Sequence, residues 1–585
     1  MKKQILSLIT LFAFSSALNA QEMLDAGGKK YTVADIKSID VITVKASLPD
    51  ILAEHSEYSI FSEALEKTGL ADTISAWNKD KMYDMGEPVD REGIRLYYPN
   101  KCNIMFTVFA VDNETFRSLG VTNFNSLKAK CTEWYGKASA WYDYPGKGSK
   151  NISTGEDYTY TYNVVNMFIR YHILKGGMKY GDLVYSMNEK KATCWNFAFG
   201  GEPYNYYETL LPHTIMKIWQ PLYHNTGSTT NIWINRYRAN NTMTNQIGLF
   251  GSEAMHSLID TGALVDSTKS DIKTINGFIH NVNKPLIYSS QVAQGVLNER
   301  IRVNLSDMLP ELSSNELRNV TSSEAYESFG GSYYSTSRYT FPLDYCDNIS
   351  IQTNTNILLF STYVGPWRAW CSDQMQLYWD NSCEIVNVML RLPSVPTGEY
   401  ELRWPFFPMQ KGISKVQAYI GTEHNMESMT KLGEVFDMTI NPNETNIGYI
   451  AISELRDIYN GELGSDAILR TVESDAAMRA NGYMRMPASF SRSGNNRIKE
   501  PVTTPQTLLY NPIGSVRFEE GYGTMSLRKI LGNVRLEQDK EYWLGFQLDN
   551  SETESSITDV TFFLDFIELV PTSIVNNATY TEDWY

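Results

Sequence analysis

The chain of 585 residues is 42% hydrophobic and 20% charged, and its formal net charge is −16. Because a single hydrophobic core rarely supports this length, two or three domains are expected. The acidic balance argues against nucleic acid and anionic lipid surfaces as partners, and it is compatible with neutral ligands or cations. Tyrosine is frequent, at 37 residues. Such enrichment is typical of surfaces that bind partners or sugars and, equally, of a high β-sheet content.

Residues 1–20 have the pattern of a signal peptide. Two lysines precede the apolar run Ile5–Phe14, and Leu18-Asn19-Ala20 offers a cleavage site before Gln21. Cleavage would leave 49 basic and 67 acidic residues, a net charge of −18. The apolar run is too short to span a bilayer, and no cysteine stands at the cleavage site. We therefore expect an exported protein without a transmembrane segment or a lipid anchor, in the periplasm, at the outer-membrane surface or outside the cell.

The first elements after the signal peptide are an arm, a helix and a buried strand. Residues 21–44 are expected to form an N-terminal arm with one short strand. A helix is predicted from Tyr58, because apolar residues recur every three or four positions until Gly69, which ends it. The run Ile104–Ala110 is apolar on both faces, which is typical of a central strand.

A capped helix is predicted directly after this strand. Asp112 can accept backbone N–H bonds at the start of the helix Asn113–Leu119. Val111 and Phe116 occupy the two positions of a hydrophobic staple, and Gly120 ends the helix.

A second helix is predicted over Tyr162–Leu174, where apolar residues place Tyr171 and His172 toward the core. The segment that follows is long and rich in Asn, Thr and Tyr, with a strand-like run at Asn231–Asn235. Asn276-Gly277 is then a turn signal, and the apolar stretch Phe278–Tyr288 is predicted to return a strand to the sheet.

The second half has the pattern of an all-β sandwich, because short apolar runs alternate with Pro and Gly turns. A polar stretch at 313–340 indicates a linker before it, and a helical insertion is predicted around Ile452–Tyr459. The runs predicted as strands include Ile385–Leu392, Tyr400–Trp404, Val416–Ile420, Tyr542–Leu548 and Thr561–Val570.

Four segments occur in a recognisable order: YSIFSEALEKTGLADTI from Tyr58, FTVFAVDNETFRSLG from Phe106, MFIRYHIL from Met167 and INGFIHNVNKPLIY from Ile275. Together they resemble the fasciclin-like domain, a module used in adhesion and binding. The resemblance covers roughly residues 45–290, with a long insertion before Asn276. The positions of the structural motif are Asp112, Tyr171, His172, Asn276, Gly277 and His280.

The chain as a whole resembles the exported two-domain fasciclin proteins of Bacteroidetes. The segments RVNLSDMLPELSSNELR from Arg302, VMLRLPSVPTGEYELRW from Val388 and FFLDFIELVP from Phe562 show this resemblance. It implies a cell-surface role beside outer-membrane glycan importers, and an α+β fold with a fasciclin-like β-sandwich/helix domain before an all-β, jelly-roll-like sandwich. The expected organisation is a signal peptide, an arm, a fasciclin-like domain, a linker, a β-sandwich and a tail, at 1–20, 21–44, 45–290, 291–340, 341–572 and 573–585.

The two motif histidines, His172 and His280, are expected to be structural. As metal ligands they would need partners at ligand spacing, and the chain has no HxH or HExxH pattern. A core histidine that is hydrogen-bonded to the backbone is the expectation for both. Tyr171 is likewise expected to pin neighbouring strands through its hydroxyl group. We expect no metal and no cofactor.

The densest group of aromatic residues is the segment STYVGPWRAWCSDQMQLYWDN, which begins at Ser361. Aromatic rings can cover the apolar faces of sugars while planar polar side chains hold the hydroxyl groups, so a saccharide-binding surface is one hypothesis. The alternative, favoured by the frequency of buried Trp in sandwiches, is that these rings fill the core or a domain interface. The candidate ligand-binding residues are Tyr363, Trp367, Arg368, Trp370, Asp373, Gln374 and Trp379.

No catalytic residues stand out. No pair of carboxylates is recognisable as a glycosidase pair, and GxSxG and P-loop motifs are absent. The six cysteines show no CxxC spacing; a Cys371–Cys383 bridge is one option, and most of them are expected to be small buried residues. The leading hypothesis is therefore a non-enzymatic, exported adhesion or binding protein that takes part in glycan capture. Two alternatives are a secreted carbohydrate-active enzyme with its site in the sandwich, and a structural adhesin that binds a protein partner.

Overall fold

A computed structural model gives the fold of most of the chain. The residues described are 23–26, 29–32, 46–76, 89–91, 94–96, 103–136, 151–184, 204–219, 231–238, 258–259, 262–315, 338–341, 345–352, 357–362, 373–380, 385–406, 415–440, 446–449, 476–485, 527–551 and 559–575. The part before Ala46 contains the hairpin Met23–Ala26 and Lys29–Thr32. The described residues from Ala46 onward form a separate compact unit, which contains both helices and sheets and is of the α+β class.

The helices lie mostly in the first half. Side-chain caps mark four of the helix starts, where Asp112, Asn123, Asn163 and Ser289 accept N–H bonds. Proline stands in the first turn of two others, Leu48–Glu54 and Pro310–Ser314. The α-helices are Leu48–Glu54, Ser59–Lys67, Leu70–Ser75, Asn113–Ser118, Phe124–Tyr135, Val164–Tyr171, Ser290–Leu297, Pro310–Ser314 and Thr572–Val575. Single 3-10 turns occur at Ser56–Tyr58, Tyr180–Asp182, Ser267–Lys269, Leu305–Met308 and Met426–Ser428.

Two four-stranded sheets accompany these helices. The first, which we call the mixed sheet, has the strand order Ile272–Lys273, Gly277–Asn281, Phe106–Ala110 and Ile173–Lys175. The second sheet is antiparallel, in the order Ala263–Leu264, Trp233–Ile234, Ile215–Trp219 and Tyr204–Glu208. Two further strand pairs are Val89–Arg91 with Ile94–Leu96, and Tyr237–Arg238 with Leu258–Ile259.

The mixed sheet depends on a parallel pair between distant strands. Gly277–Asn281 runs beside Phe106–Ala110, and all ten residues are buried. Burial on both faces agrees with the apolar pattern from which this central strand is predicted. Gly277 permits the pairing, because a Cβ at this position would overlap the carbonyl oxygen of Phe106.

The second half contains three antiparallel sheets. Sheet A has the order Ile301–Asn304, Phe566–Pro571, Gly398–Phe406, Leu527–Leu536 and Tyr483–Arg485. Sheet B has the order Ile349–Gln352, Ile385–Arg391, Trp543–Asp549, Lys415–Gly421 and Thr430–Phe436. Sheet C has the order Arg338–Phe341, Ile357–Thr362, Asp373–Asp380 and Asp559–Leu564.

Trp404 of sheet A is the packing centre of this half. Its ring lies 4.5 Å from that of Phe546 in sheet B and is stacked on Phe562 of sheet C, with centroids 5.8 Å apart. All three side chains are fully buried. Side chains from all three sheets therefore meet in the core at Trp404.

Several predicted element boundaries are wrong in detail. The helix predicted over Tyr162–Leu174 ends at Tyr171, and Ile173–Lys175 is a strand of the mixed sheet. The strand predicted over Phe278–Tyr288 ends at Asn281. The strand predicted over Thr561–Val570 is two strands in different sheets, divided at Asp565. The helical insertion at Ile452–Tyr459 and the Cys371–Cys383 bridge lie outside the described residues.

The segment predicted to be a linker, 291–340, is structured over its described first part. Ile301–Asn304 pairs with Phe566–Pro571 and so belongs to sheet A. Asn315 accepts a hydrogen bond from the Asn103 backbone at 2.9 Å, which ties the segment to the first half. Further contacts join the halves: Arg391 of sheet B bonds Glu208, and Gln538 donates to the Tyr288 hydroxyl at 2.8 Å.

A row of buried charges crosses sheet A on the face opposite to Trp404. Glu568 stands between Arg302 and Arg403 in the strand register, and it also accepts from Arg528 at 3.1 Å. All four side chains are at most 1% exposed. Burial acts to raise the pKa of Glu568, but the arginines around it outweigh burial and hold the pKa well below its usual range. Glu568 is therefore ionised, and it compensates arginines that have no access to water.

The first prediction concerns Gly277. Gly277→Ala should destabilise the protein by about 2–5 kcal/mol, because the new methyl group overlaps the Phe106 carbonyl and separates the parallel strands. Gly120 is the matched control: its φ is +79° and a Cβ there meets no atom within 4 Å. Gly120→Ala should lose only about 1–2 kcal/mol from left-handed strain. Urea unfolding of both variants measures the difference, and equal losses would contradict the overlap.

The second prediction concerns Glu568. Glu568→Gln should lose about 3–5 kcal/mol of unfolding free energy, because it removes the buried carboxylate that Arg302, Arg403 and Arg528 share. Glu399 is the matched control, since it pairs with Arg535 at the surface and the two side chains are 50% and 57% exposed. Glu399→Gln should cost less than about 1 kcal/mol. Denaturant unfolding at pH 7 compares them; a Glu568→Gln variant as stable as the control would show that the charged row contributes no stability.

Candidate functional site

Asp112 lies at the start of the helix Asn113–Ser118. One carboxylate oxygen accepts from the Thr115 N–H at 2.8 Å, and the other accepts from the Lys269 ammonium at 2.7 Å. Burial acts to raise the pKa of Asp112, but the bonds from Lys269 and Thr115 outweigh burial and lower the pKa. Asp112 is thus the ionised cap that the sequence predicts. Its second partner, Lys269, comes from a remote loop.

Tyr171 joins the last turn of its helix to the second sheet. Its hydroxyl donates to the Ile215 carbonyl at 3.2 Å and accepts from the Asn235 amide at 2.8 Å. Its ring meets Tyr288 edge to face, with centroids 5.5 Å apart. Burial is the main cause that raises the pKa of Tyr171 well above its ordinary value. Tyr171 is therefore uncharged, and its hydroxyl group joins its helix to Ile215 and Asn235.

His172 uses both ring nitrogens on backbone groups. Nδ1 lies 2.8 Å from the Phe168 carbonyl oxygen, and Nε2 lies 2.9 Å from the Leu286 nitrogen. A carbonyl can only accept and an N–H can only donate, so Nδ1 carries the proton and Nε2 does not. Burial lowers the pKa of His172 to about 3, against the opposing effect of the Phe168 bond. The ring is therefore neutral and held in one tautomer.

His280 also uses both ring nitrogens on backbone groups, but in the opposite tautomer. Nε2 donates to the Met178 carbonyl at 2.9 Å, and Nδ1 accepts from the Asp271 N–H at 3.3 Å. Burial lowers the pKa of His280, although the Met178 bond and the charges of Asp271 and Asp182 oppose it. Asp271 adopts a φ of +60° to present its N–H in this position.

Asn276 connects the turn before the parallel strand to two helix ends. Its side-chain oxygen accepts from the Leu48 N–H at 3.0 Å, and its amide donates to the carbonyls of Ile74 and Ala76 at 2.6 and 2.8 Å. The residue is fully buried. It therefore satisfies backbone groups that the helix Leu48–Glu54 and the end of Leu70–Ser75 leave open.

The strand Phe106–Ala110 brings the two histidines into one framework. Phe109 is the register partner of His280, and its N–H donates to the His172 carbonyl at 2.9 Å. In the part of the chain that the structure describes, no group of three or more His, Cys, Asp or Glu could hold a metal ion. The motif residues thus form hydrogen-bonded supports, with no free acid, base or ligand among His172, His280 and Asp112.

The candidate ligand-binding residues are only partly within the described chain. Tyr363, Trp367, Arg368 and Trp370 lie outside it. Asp373, Gln374 and Trp379 belong to the strand Asp373–Asp380 of sheet C. On this strand Met375 and Leu377 are buried.

Sequence reasoning missed the partners that lie far along the chain. Lys269 and Asn235 complete the bonds of Asp112 and Tyr171, and neither shows a local signal beyond being polar. Cys131 and Cys346 are both buried, in agreement with the expectation for most cysteines. None of the described helices has the length and apolar character needed to cross a membrane.

Comparisons with known proteins identify little. No protein-family model matches the chain, and no curated protein matches it. Among solved structures, a FAS1 domain pair from the insect cell adhesion molecule fasciclin I is similar at 12% identity. The match covers 49% of this chain and 76% of that chain, with a TM-score of 0.20. At this level of similarity, the family of the chain stays a prediction.

The third prediction concerns pH. Unfolded histidine titrates near pH 6.5, whereas folded His172 resists protonation down to about 3, so between these values the unfolded state binds more protons. The unfolding free energy should therefore decrease as the pH is lowered through this window. His172 contributes about 1.4 kcal/mol per pH unit, and His280 acts in the same direction.

His172→Gln isolates this contribution. The variant should be less stable than the parent at pH 7, because it loses backbone bonds, but its stability should fall less steeply between pH 6 and pH 4. His55, whose side chain is 38% exposed, is the control, and His55→Gln should stay within about 0.5 kcal/mol of the parent at pH 7. Urea unfolding at several pH values gives the slopes; parallel slopes for parent and His172→Gln would contradict a neutral buried His172.

Proposed function

We propose that the protein is a non-enzymatic, exported binding protein of the cell envelope that takes part in glycan capture. Residues 45–290 would be a fasciclin-like domain and residues 341–572 a jelly-roll-like sandwich. The observation that supports this proposal is the use of both ring nitrogens of His172 and of His280 for backbone hydrogen bonds.

A catalytic role for these residues would require a group that can exchange a proton or meet a substrate. Both histidines are fully buried and neutral, and the pKa of each is lowered. General acid–base catalysis works best when the pKa lies near the working pH. Tyr171 and Asp112 are engaged with Asn235 and Lys269 in the same way. A framework role accounts for all four residues without a reaction.

The glycan-binding part of the proposal rests on the aromatic segment of sheet C. Thr362 and Asp373 are paired at the ends of two neighbouring strands, and residues 363–372 connect them. Segments that join strands at the end of a rigid sheet are where binding residues concentrate. This connection contains Tyr363, Trp367 and Trp370 with Arg368, which is the chemistry that flat sugar rings and their hydroxyl groups require. The partner implied by this role is an outer-membrane glycan importer.

The fourth prediction tests this surface. Trp367→Ala should weaken binding to soluble glycans by about tenfold, since a ring contact contributes roughly 0.5–1.5 kcal/mol. The thermal midpoint should not change. Tyr160→Ala, which removes a 38% exposed aromatic ring from the first half, is the control and should bind like the parent. Affinity electrophoresis in starch, arabinoxylan and mucin glycans gives the affinities.

Three results would contradict the proposal. Binding by Trp367→Ala equal to that of the parent would exclude this segment as the glycan surface. A large fall in its thermal midpoint would show that the ring belongs to the core. Release of reducing sugar from these glycans by the purified parent protein would show that the protein is an enzyme.

A further inference from the structure

The outer face of sheet B holds a small cluster that is separate from the main core. It is built on the central strand Trp543–Asp549 and on the loop after Lys415–Gly421. It lies outside the fasciclin-like segments and the aromatic segment 363–379. We call it the methionine–tryptophan cluster, and its members are Met389, Tyr419, His424, Met426, Met429 and Trp543.

Two thioether sulfurs converge on one point of this face. Met426 is the first residue of a single 3-10 turn and Met429 directly follows the last one; Asn425 caps the start of the turn by accepting from the Glu427 N–H at 3.1 Å. Residues three apart on such a turn lie one above the other. Opposite them, a Cβ at Gly545 would lie against Met426 Sδ and 2.9 Å from Met429 Sδ. The lack of a side chain at Gly545 thus makes the depression in which both sulfurs lie.

The strand register supplies the walls of this depression. Gly545 is paired with Met389 on one neighbouring strand and with Tyr419 on the other. Trp543 precedes Gly545 by two residues and so lies on the same face of the sheet. Met389 is 1% exposed and Trp543 is 5% exposed, so these two side chains at the floor of the cluster are shielded from solvent.

His424 lies on the same loop as the two sulfurs. Its ring is stacked on Trp543, with centroids 4.0 Å apart and 13° between the planes. Trp543 is held in turn by donating its Nε1–H to Glu541 at 3.0 Å. Within the described residues His424 makes no hydrogen bond, and its side chain is exposed. In this it differs from His172 and His280, whose nitrogens are engaged on both sides.

We propose that the methionine–tryptophan cluster binds a soft monovalent metal ion, Cu(I) or its analogue Ag(I), through Met426 Sδ, Met429 Sδ and a ring nitrogen of His424. Thioether and imidazole are neutral, polarizable ligands that favour such ions, whereas Mg²⁺ and Ca²⁺ require oxygen. Neutral ligands leave the positive charge of the ion in place. The net charge of −16 and the loop carboxylates Glu423 and Glu427 attract that charge.

The fifth prediction is tested with silver nitrate, which needs no redox control. The full chain, labelled with ¹³C in its methionine methyl groups, is titrated in chloride-free buffer after its accessible thiols are blocked with iodoacetamide, since thiolates compete for soft metals. Spectra of M426L and M429L identify the two methyl signals. Both signals should shift and should saturate at one equivalent of Ag(I). If they stay in place while one equivalent is added, the proposal is overturned.

Affinity measurements on variants give an independent answer. Met426→Leu with Met429→Leu keeps the side-chain volume. The double variant should weaken Ag(I) binding by more than about 100-fold. Loss of a group that only hydrogen-bonds to a metal ligand already weakens binding by up to about 100-fold, and this variant removes two ligands. His424→Phe keeps a ring on Trp543 but removes the nitrogen, and should weaken binding by at least about tenfold. Met438→Leu, which changes a buried methionine of the main core, is the control and should bind like the parent. Parental affinity in the double variant would overturn the proposal.

Discussion

The parallel pairing of Gly277–Asn281 with Phe106–Ala110 is the constraint on which the first half depends. Parallel strands cannot be joined by a tight turn, so the chain must travel a long way between them. The helix Val164–Tyr171 and the second sheet both lie within this crossover. Close approach of the two strands requires glycine at 277, since any Cβ would overlap a backbone oxygen. Gly277 therefore allows the strand at the end of this long crossover to pair with Phe106–Ala110.

Polar residues hold this arrangement together because they satisfy backbone groups that the crossover buries. Asn276 serves two helix ends, His172 serves a helix carbonyl and the Leu286 N–H, and Tyr171 serves a strand carbonyl. A buried backbone group without a partner costs about 1–3 kcal/mol, so each of these side chains prevents a loss larger than the net gain of an ordinary hydrogen bond. The same satisfaction makes these side chains chemically inert.

Local features of the fold could be predicted from the sequence, because their causes are local. The cap at Asp112, the stop at Gly120 and the buried strand before them need only a few neighbouring residues. The end of the helix at Tyr171 could not be predicted, since the apolar pattern continues through Ile173–Lys175 and only pairing with Phe106–Ala110 turns that run into a strand. The strand at Ile301–Asn304 was hidden for the same reason: its partner, Phe566–Pro571, lies near the other end of the chain.

Sheets A and B both contribute side chains to the main core and differ on their outer faces, and this difference bears on where function lies. On sheet A, Glu568 is buried among Arg302, Arg403 and Arg528, and loss of its carboxylate would remove a compensating charge from a region that solvates charge poorly. Such a row tolerates little change, and it offers a ligand no group that is both accessible and unengaged. Beside the outer face of sheet B, the imidazole ring of His424 is exposed and makes no hydrogen bond within the described residues. A ligand can bind only to groups that are not already used in other bonds. In the described chain, the cluster on the outer face of sheet B offers such groups, whereas the motif residues of the first half do not.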